Sequence, residues 1–600
     1  MNHGVAMAGF RCPINAQPAN CMRTIWLKRG RPGMYSPNPK EHRIHTRTYA
    51  QTQVHTASCD AAPVTPVRAS SFEPSVWGDF FIHYEPPMQR SEEWMRERAD
   101  KLKEEIRILF GVCSDMVEKM TLVDAIQHLG IDHLFKEEID TSLRYIGSGF
   151  TGSSLHEVAL RFRLLREHNI WVSPDVFKIF KGNDGKFCND IAKDARGLLS
   201  LYNAAYLLVH GEPELEEAIS FARHHLESMG QSSYLQHPLA DQIKRALHLP
   251  LPRTFMRVEA RHYMLEYEQD RSHNPVLLEL AKLEFNLQQH AHLKELKSFS
   301  KWCNDLFGYI GLSYVRDRAV EAYTWAVIYV HEEGLELTRM TLSKLVVLIM
   351  ILDDTYDVHA TIEECRKLDT AIQRWDESAV CRLPEYLRNF YNKLLSIFKE
   401  IEDQVPSNEK YRVACTKEEF QKLSGAFLQG AEWFHQNHMP SFKDQVALSI
   451  RISGSKFFLT AMTIGRGDAV TKESMDWVFC NTYNDMVIAC AKIGRFMNDI
   501  AAFKRGTNNT DMPSSVECYM NEHKVTSDIA FTKLDLLVED EWKTINQARF
   551  GQHELLSVVQ MAVKIVHTSF FFYHDRRDTY TFSTQLRKTL DNIYVTPIPI

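Results

Sequence analysis

The sequence predicts an all-α protein made of two helical domains, and two observations lead to this prediction. From about residue 90 to the C-terminus, apolar residues recur at steps of three and four, the period of an amphipathic helix, and no convincing strand pattern occurs. Short groups of Gly, Pro and polar residues separate these stretches, as turns separate the helices of a bundle. They lie at residues 147–152, 181–185, 210–213, 250–252 and 406–407.

The first long helix is predicted to begin after Ser91. This serine can cap the helix, and Glu92 and Glu93 follow in the first turn, where acidic side chains are favourable. The apolar stripe of this helix consists of Met95, Ala99, Leu102, Ile106 and Leu109. Similar stripes recur along the rest of the chain and indicate helices packed around apolar cores.

A proline-containing segment at residues 248–253 divides the helical region. A chain of 600 residues has room for roughly two to four domains of ordinary size. We therefore predict an N-terminal helical domain at residues 61–280, ending with a linking helix, and a C-terminal domain at residues 281–600.

The first 59 residues have a different composition. They contain eight Lys or Arg residues, five prolines and a single acidic residue, Glu41. A basic, acid-poor extension is typical of an organelle transit peptide, so we predict a transit peptide at residues 1–60 and a plastid location. Its serine content is low, and a disordered extension of a cytoplasmic protein is the alternative.

The overall composition excludes several classes of protein. A formal net charge of −7 offers no basic surface for nucleic acid. The longest aliphatic run, at residues 345–352, is far shorter than the roughly 20 residues that span a bilayer, so no membrane span is expected. The cysteines form neither CxxC pairs nor a compact framework, so neither a zinc module nor a disulfide scaffold is indicated.

The most informative motif is Asp353-Asp354-Thr355-Tyr356-Asp357, which follows the aliphatic run. Positions 353 and 357 are four apart, so their carboxylates are expected on one face of a helix. Like charges at this spacing repel each other unless a cation neutralises them. The pattern suits Mg²⁺ that also binds a substrate phosphate, and a solvated acidic helix end is the alternative.

Other charged and aromatic residues surround this motif in a characteristic order. They are Arg316 and Arg318, Trp325, Arg495 and Asn498, and Tyr573, Asp578 and Tyr580. In this order the motifs resemble those of the plant class I terpene synthases, and the catalytic half resembles the sesquiterpene synthases in particular. The resemblance covers residues 66–600.

The resemblance implies a C-terminal helical bundle with a central cavity, in which a prenyl diphosphate is ionised and its carbocation is cyclised or rearranged. The family works with three Mg²⁺ ions, with Mn²⁺ as an alternative, and the protein would be a monomer. The implied metal ligands are Asp353, Asp354, Asp357 and Asn498. The implied diphosphate-binding residues are Arg316, Arg318 and Arg495, together with Asp353, Asp357 and Asn498.

The resemblance also assigns the aromatic residues. Trp325 and Tyr580 would line the pocket and stabilise cations with their ring faces. Tyr573, Asp578 and Tyr580 would lie in a loop that closes beside the site and excludes water from the cation.

The second metal motif departs from the family pattern. The family places three oxygen ligands at steps of four, but here the stripe consists of Asn498, Ala502 and Gly506. Glycine favours the end of a helix, so we predict that Gly506 ends this helix. Asp499 is one residue further round the helix than Asn498, so we predict that it points away from the metal. Restoring Ser at 502 and Glu at 506 is then expected to lower the Mg²⁺ requirement.

Three functions are compatible with this pattern. The first is a terpene synthase, most simply one that uses farnesyl diphosphate, with geranyl or geranylgeranyl diphosphate in plastids as the alternative. Only Arg68 of the tandem arginines found in many monoterpene cyclases is present before Trp77, which favours a longer substrate. The second is a chain-elongating prenyltransferase, which needs a second aspartate-rich motif. The third is a non-catalytic prenyl-diphosphate-binding protein, suggested by the degenerate second metal motif.

Overall fold

The computed structural model describes residues 73–86, 89–149, 152–230, 235–480, 485–506, 512–551 and 555–600. The predicted transit peptide at residues 1–60 and the position of Arg68 lie outside this part of the chain. Across the described ranges, the regular structure is helical apart from one isolated antiparallel bridge between Lys181 and Phe187. The all-α prediction is confirmed.

The N-terminal part consists of nine α-helices in the described residues. They are α1 (Phe80–His83), α2 (Glu92–Val112), α3 (Met116–His128), α4 (Lys136–Gly147), α5 (Leu155–Glu167), α6 (Ala195–Ala205), α7 (Pro213–Gly230), α8 (Leu239–His248) and α9 (Met256–Tyr267). Helix α2 begins as predicted, because the Ser91 side chain accepts a hydrogen bond from the Trp94 amide. Its buried stripe ends at Phe110, whereas the predicted Leu109 is only partly buried.

The C-terminal part begins with the longest helix of the described chain. This helix, α10, runs from Pro275 to Ile310, with Asn274 capping its N-terminus through the amides of Val276 and Leu277. The predicted domain boundary at residue 280 therefore falls inside α10, where Leu280 is fully buried. Residues 67–600 form one compact unit. The division into domains at 280 stays a prediction.

Thirteen further α-helices follow in the described residues. They are α11 (Ala319–Tyr329), α12 (Glu336–Asp354), α13 (Ile362–Arg374), α14 (Glu385–Gln404), α15 (Lys410–His435), α16 (Phe442–Ile452), α17 (Ser455–Ala461), α18 (Lys472–Cys480), α19 (Asp485–Arg505), α20 (Ser515–His523), α21 (Ser527–Ala548), α22 (Leu556–Tyr573) and α23 (Arg587–Leu590). Short 3₁₀ and π turns join several of them. Helix α19 packs against α21 and α22, and α11 packs against α12 and α22. These packed helices carry the side chains of the site.

One described segment, Leu556–Arg576, is long and apolar enough to cross a membrane by length and composition alone. Of its most apolar window, 61% is buried inside the protein, as in a core helix. The segment contains no long aliphatic run, because polar residues from Ser557 to Ser569, Thr568 among them, interrupt its apolar residues. The Thr568 and Ser569 side chains are buried, and each hydroxyl bonds to a backbone carbonyl four residues earlier.

Candidate active site

The C-terminal helices enclose a cavity of about 330 Å³. Ten of the eleven site residues predicted from the sequence line it, and Arg318 is the exception. The ten are Arg316, Trp325, Asp353, Asp354, Asp357, Arg495, Asn498, Tyr573, Asp578 and Tyr580. Residues from six separate segments of the chain thus line one cavity. Some of these residues are charged, and others are aromatic.

The acidic side of the cavity is formed where α12 ends. The last part of α12 before the motif, residues 345–352, is entirely apolar and largely buried, which fixes the C-terminal end of the helix in the core. At Asp354 the α-helix changes to a π turn, Thr355–His359, which carries Asp357. The sequence predicted a regular helix here. The wider turn still keeps Asp353 and Asp357 on the cavity wall.

Arg316 is the cationic partner of the first two aspartates. Its guanidinium lies 2.8 Å from Asp354 Oδ1 and also pairs with Asp353, and its backbone amide donates to Asp354 Oδ2 over 2.9 Å. Burial raises the pKa of the Asp354 carboxyl, an effect that the nearby guanidinium opposes. Both Asp354 oxygens face Arg316, so Asp354 orients this arginine, while Asp353 is about one-third exposed.

Helix α19 provides another part of the cavity wall. Arg495 and Asn498, one turn apart, both line the cavity. Arg495 also donates a hydrogen bond of 2.8 Å to Asp499 Oδ1, and the Ser515 amide donates to Asp499 Oδ2. Asp499 is buried and engaged on both oxygens, so it supports Arg495 from behind. Asp499 does not line the cavity, in the direction predicted for it.

The second metal motif, Asn498, Ala502 and Gly506, lies on the last turns of α19 and at its end. The helix stops at Arg505, and Gly506 has a φ of +70°, a left-handed conformation that suits glycine. The prediction that Gly506 ends the helix is confirmed. Ala502 lines the cavity without offering an oxygen atom.

Arg505 is a cavity residue that was not predicted. It lies seven residues after Asn498, two helical turns along the same face, so the spacing of this stripe could have identified it. Its Nη1 donates a hydrogen bond of 2.6 Å to Asp578 Oδ2. Its guanidinium also lies over the ring of Phe582, 5.1 Å from the centroid. Arg505 therefore joins the end of α19 to the loop after α22.

The loop after α22 forms the roof of the site. Asp578 accepts hydrogen bonds from Arg505 and from the Thr581 amide, and it is largely buried. The Thr579 amide and hydroxyl both donate to the carbonyl of Phe572. These contacts hold the predicted closing loop against the cavity.

Arg318 has a different role from the one expected for it. Its guanidinium donates to the backbone carbonyls of Asp317, Thr581 and Glu73, and its side chain is buried. Arg318 therefore links the roof loop to the N-terminal residue Glu73, and it does not line the cavity in this structure. The segment between α10 and α11 is irregular, so helical spacing could not indicate where Arg318 points.

Aromatic rings form the apolar part of the wall. Trp325 stacks on Phe572 with centroids 5.1 Å apart and meets Tyr580 edge-on at 5.2 Å. Its indole N–H donates to the hydroxyl of Tyr329, another cavity residue that the sequence did not reveal. Burial raises the pKa of Tyr573 and Tyr580, so both hydroxyls stay protonated. Such ring faces can stabilise a cation by about 0.5–2 kcal/mol each.

The polar residues of the cavity fit a hard divalent cation. Asp353, Asp357 and Asn498 line the same cavity from two different segments, and their carboxylate and amide oxygens are the ligands that such cations prefer. Arg316, Arg495 and Arg505 supply guanidinium groups for an anionic ligand beside the metal.

Comparisons with known families agree with this site. Residues 76–247 match the model of the terpene synthase N-terminal domain, and residues 305–544 match that of the terpene synthase metal-binding domain. Tau-cadinol synthase of Zea mays is 49% identical over 545 residues, covering 89% of this chain and 99% of the relative. Alpha-copaene synthase of Zea mays is 47% identical over 538 residues, covering 88% and 99%.

Solved structures show the same architecture. A limonene synthase bound to 2-fluorolinalyl diphosphate has a TM-score of 0.83 at 26% identity, covering 89% of this chain and 100% of that one. Isoprene synthase of grey poplar (Populus x canescens), with three Mg²⁺ ions and dimethylallyl-S-thiolodiphosphate, has a TM-score of 0.78 at 29% identity, covering 84% and 97%. With both family domains matched and nearly half of its residues identical to a maize synthase over most of its length, this chain belongs to the terpene synthase family, whose members are lyases.

Proposed function

We propose that this terpene synthase uses Mg²⁺ to ionise farnesyl diphosphate and converts the resulting cation into a sesquiterpene. The observation that carries the proposal is the single cavity on which the acidic end of α12, the basic and amide face of α19 and a set of aromatic rings converge. One end of such a cavity suits a metal-bound diphosphate, and the other suits a hydrocarbon cation.

The residues of the chain have separate tasks in this proposal. Bound Mg²⁺, with three ions expected and Mn²⁺ as a substitute, would supply the positive charge that stabilises the departing diphosphate. Arg495 would donate hydrogen bonds to the diphosphate, with Arg316 beside it, because the planar guanidinium matches anionic oxygens. Trp325 and Tyr580 would face the hydrocarbon. The Arg505–Asp578 ion pair would hold the roof loop closed and so exclude water.

The fifteen-carbon substrate is supported by the relatives. Cadinol and copaene are fifteen-carbon terpenoids, and the two maize synthases named for them share 49% and 47% identity with this chain. Geranyl and geranylgeranyl diphosphate remain the competing substrates.

The location is proposed from composition alone. We infer that residues 1–60 direct the protein to plastids, on the strength of their eight basic residues and single acidic residue before position 60. A fluorescent protein fused after residue 60 should enter plastids, and a purely cytoplasmic signal would contradict this proposal.

The substrate assay uses purified protein, which is expected to elute as a monomer in size-exclusion chromatography. The protein is incubated with Mg²⁺ and, separately, with the ten-, fifteen- and twenty-carbon diphosphates, and the products are separated by gas chromatography. Release of fifteen-carbon hydrocarbons or alcohols at the highest kcat/KM supports the proposal. A preference for another chain length changes the substrate, lengthened diphosphates would indicate a prenyltransferase, and bound but unconverted substrate a non-catalytic binding protein.

The substitution Ala502→Ser should lower the Mg²⁺ concentration at half-maximal rate by about tenfold, because it adds an oxygen donor beside Asn498. The companion change Gly506→Glu is no longer expected to help. A glutamate there would have to adopt the left-handed backbone at φ +70°, at a cost of roughly 1–2 kcal/mol of stability. Rates measured across a Mg²⁺ series, with urea unfolding of each variant, test both statements. An unchanged Mg²⁺ requirement in Ala502→Ser would contradict the first.

A further inference from the structure

Three potential metal ligands meet at a place well removed in sequence from the aspartate-rich motif. His248 is the last residue of α8, and His574 and Asp575 directly follow α22. Both histidines also line a second cavity, of about 640 Å³, beside the N-terminal helices. Among the described residues, these three form the one group of His, Cys, Asp or Glu side chains whose ligand atoms all lie within 4.8 Å of one another.

The distances in this group fit a small transition-metal ion. His248 Nδ1 lies 3.6 Å from Asp575 Oδ2, and His574 Nε2 lies 3.3 Å from Asp575 Oδ1. Tetrahedral Zn²⁺ with bonds of about 2.0–2.2 Å holds its ligand atoms about 3.3–3.6 Å apart. The two imidazole rings are also nearly perpendicular, with centroids 4.5 Å apart. The two distances end on different oxygens of Asp575, and one ligand atom from each of the three residues lies within 4.8 Å of the other two, so the side chains must turn toward a common point to bind one ion.

We propose that His248, His574 and Asp575 bind one Zn²⁺ ion, at a site distinct from the metal positions of the catalytic cavity. Two imidazoles and one carboxylate are a ligand set typical of Zn²⁺, and imidazole selects against Mg²⁺. With three protein ligands, a fourth position stays open to water.

Solvent access supports this site. The side chains of His248 and Asp575 are 60% and 49% exposed, and that of His574 is 28% exposed, so an ion can reach them from solution.

A metal ion at this site would restrain the chain that leads into the roof loop. A bound ion ties the end of α8 to the first residues after α22. Asp578, which accepts the hydrogen bond from Arg505, follows only three residues after Asp575. The ion therefore restrains the segment that leads into the roof loop.

The test is calorimetric titration of the full-length protein with Zn²⁺ in an excess of Mg²⁺, which saturates oxygen-ligand sites. We expect one Zn²⁺ per chain, and both His248→Ala and Asp575→Asn should weaken its binding at least about tenfold. Asn retains the size of Asp575 and tolerates its φ of +57°, so this second variant keeps the fold. Co²⁺ bound in place of Zn²⁺ should give visible absorption bands that both variants lose.

The matched control is His523→Ala. His523 is a comparably exposed histidine with one acidic neighbour, Glu522, and it belongs to no three-ligand group in the described chain. Its loss should leave Zn²⁺ affinity unchanged. Hydrogen exchange should also slow at residues 574–582 when Zn²⁺ is added to the wild type. Wild-type binding weaker than about 100 μM, or an affinity equal to that of the wild type in His248→Ala and Asp575→Asn, would overturn the proposal.

Discussion

Replacing Asp353 with asparagine should lower kcat by about 10²–10³-fold, the loss typical of removing one electrostatic contact to a developing charge. Asp353 lies on the cavity wall and its side chain is about one-third exposed, so it can reach a ligand. Asparagine keeps the shape but removes the negative charge that a divalent cation prefers. Steady-state kinetics with farnesyl diphosphate across a Mg²⁺ series measures the effect.

The fold should survive this change. Arg316 keeps its hydrogen bonds to both oxygens of Asp354 when Asp353 is neutral. The thermal midpoint should therefore stay close to that of the wild type. Glu363→Gln is the matched control, because Glu363 is an exposed carboxylate on α13 that pairs with Arg366. If both variants lose activity equally, or if Asp353→Asn keeps more than a third of kcat, Asp353 is not a metal ligand.

The sequence was sufficient to predict where side chains point on regular helices, because there the helical period determines which face each residue occupies. The cap at Ser91, the helix end at Gly506 and the stripe of α2 up to Ile106 all follow from local rules, and the structure confirms them. The buried run of α12 likewise carries its aspartates to the cavity. Asp499 was predicted to point away because it is one residue round the helix from Asn498, and it is buried against Ser515.

The sequence was insufficient where the backbone leaves helical geometry. Arg316 and Arg318 are two residues apart in an irregular segment, and only tertiary contacts send one guanidinium to Asp354 and the other to Thr581. The π turn after Asp354 was equally invisible, because residue preferences do not distinguish it from an α-helical turn. Arg505 is a different case, since its spacing from Asn498 could have identified it.

The second large effect is expected for Arg316→Met. This arginine is the cation beside Asp354, whose side chain is fully buried, and methionine would leave that carboxylate without a charged partner. Breaking a buried ion pair on one side typically costs about 3–5 kcal/mol of stability. Urea unfolding should show this loss, together with a fall in kcat/KM, because the lost guanidinium also lines the cavity.

A double variant separates the two roles of Arg316. In Arg316→Met with Asp354→Asn, the buried charge is gone while an oxygen remains to accept the hydrogen bond from the residue 316 amide. Replacing both members of a buried ion pair is often nearly neutral for stability, so most of the lost unfolding free energy should return. Activity should stay low, because neutralising Asp354 does not restore a cation beside the diphosphate. Recovery of both stability and activity would mean that Arg316 only balances Asp354, and diphosphate binding would then depend on Arg495 and Arg505.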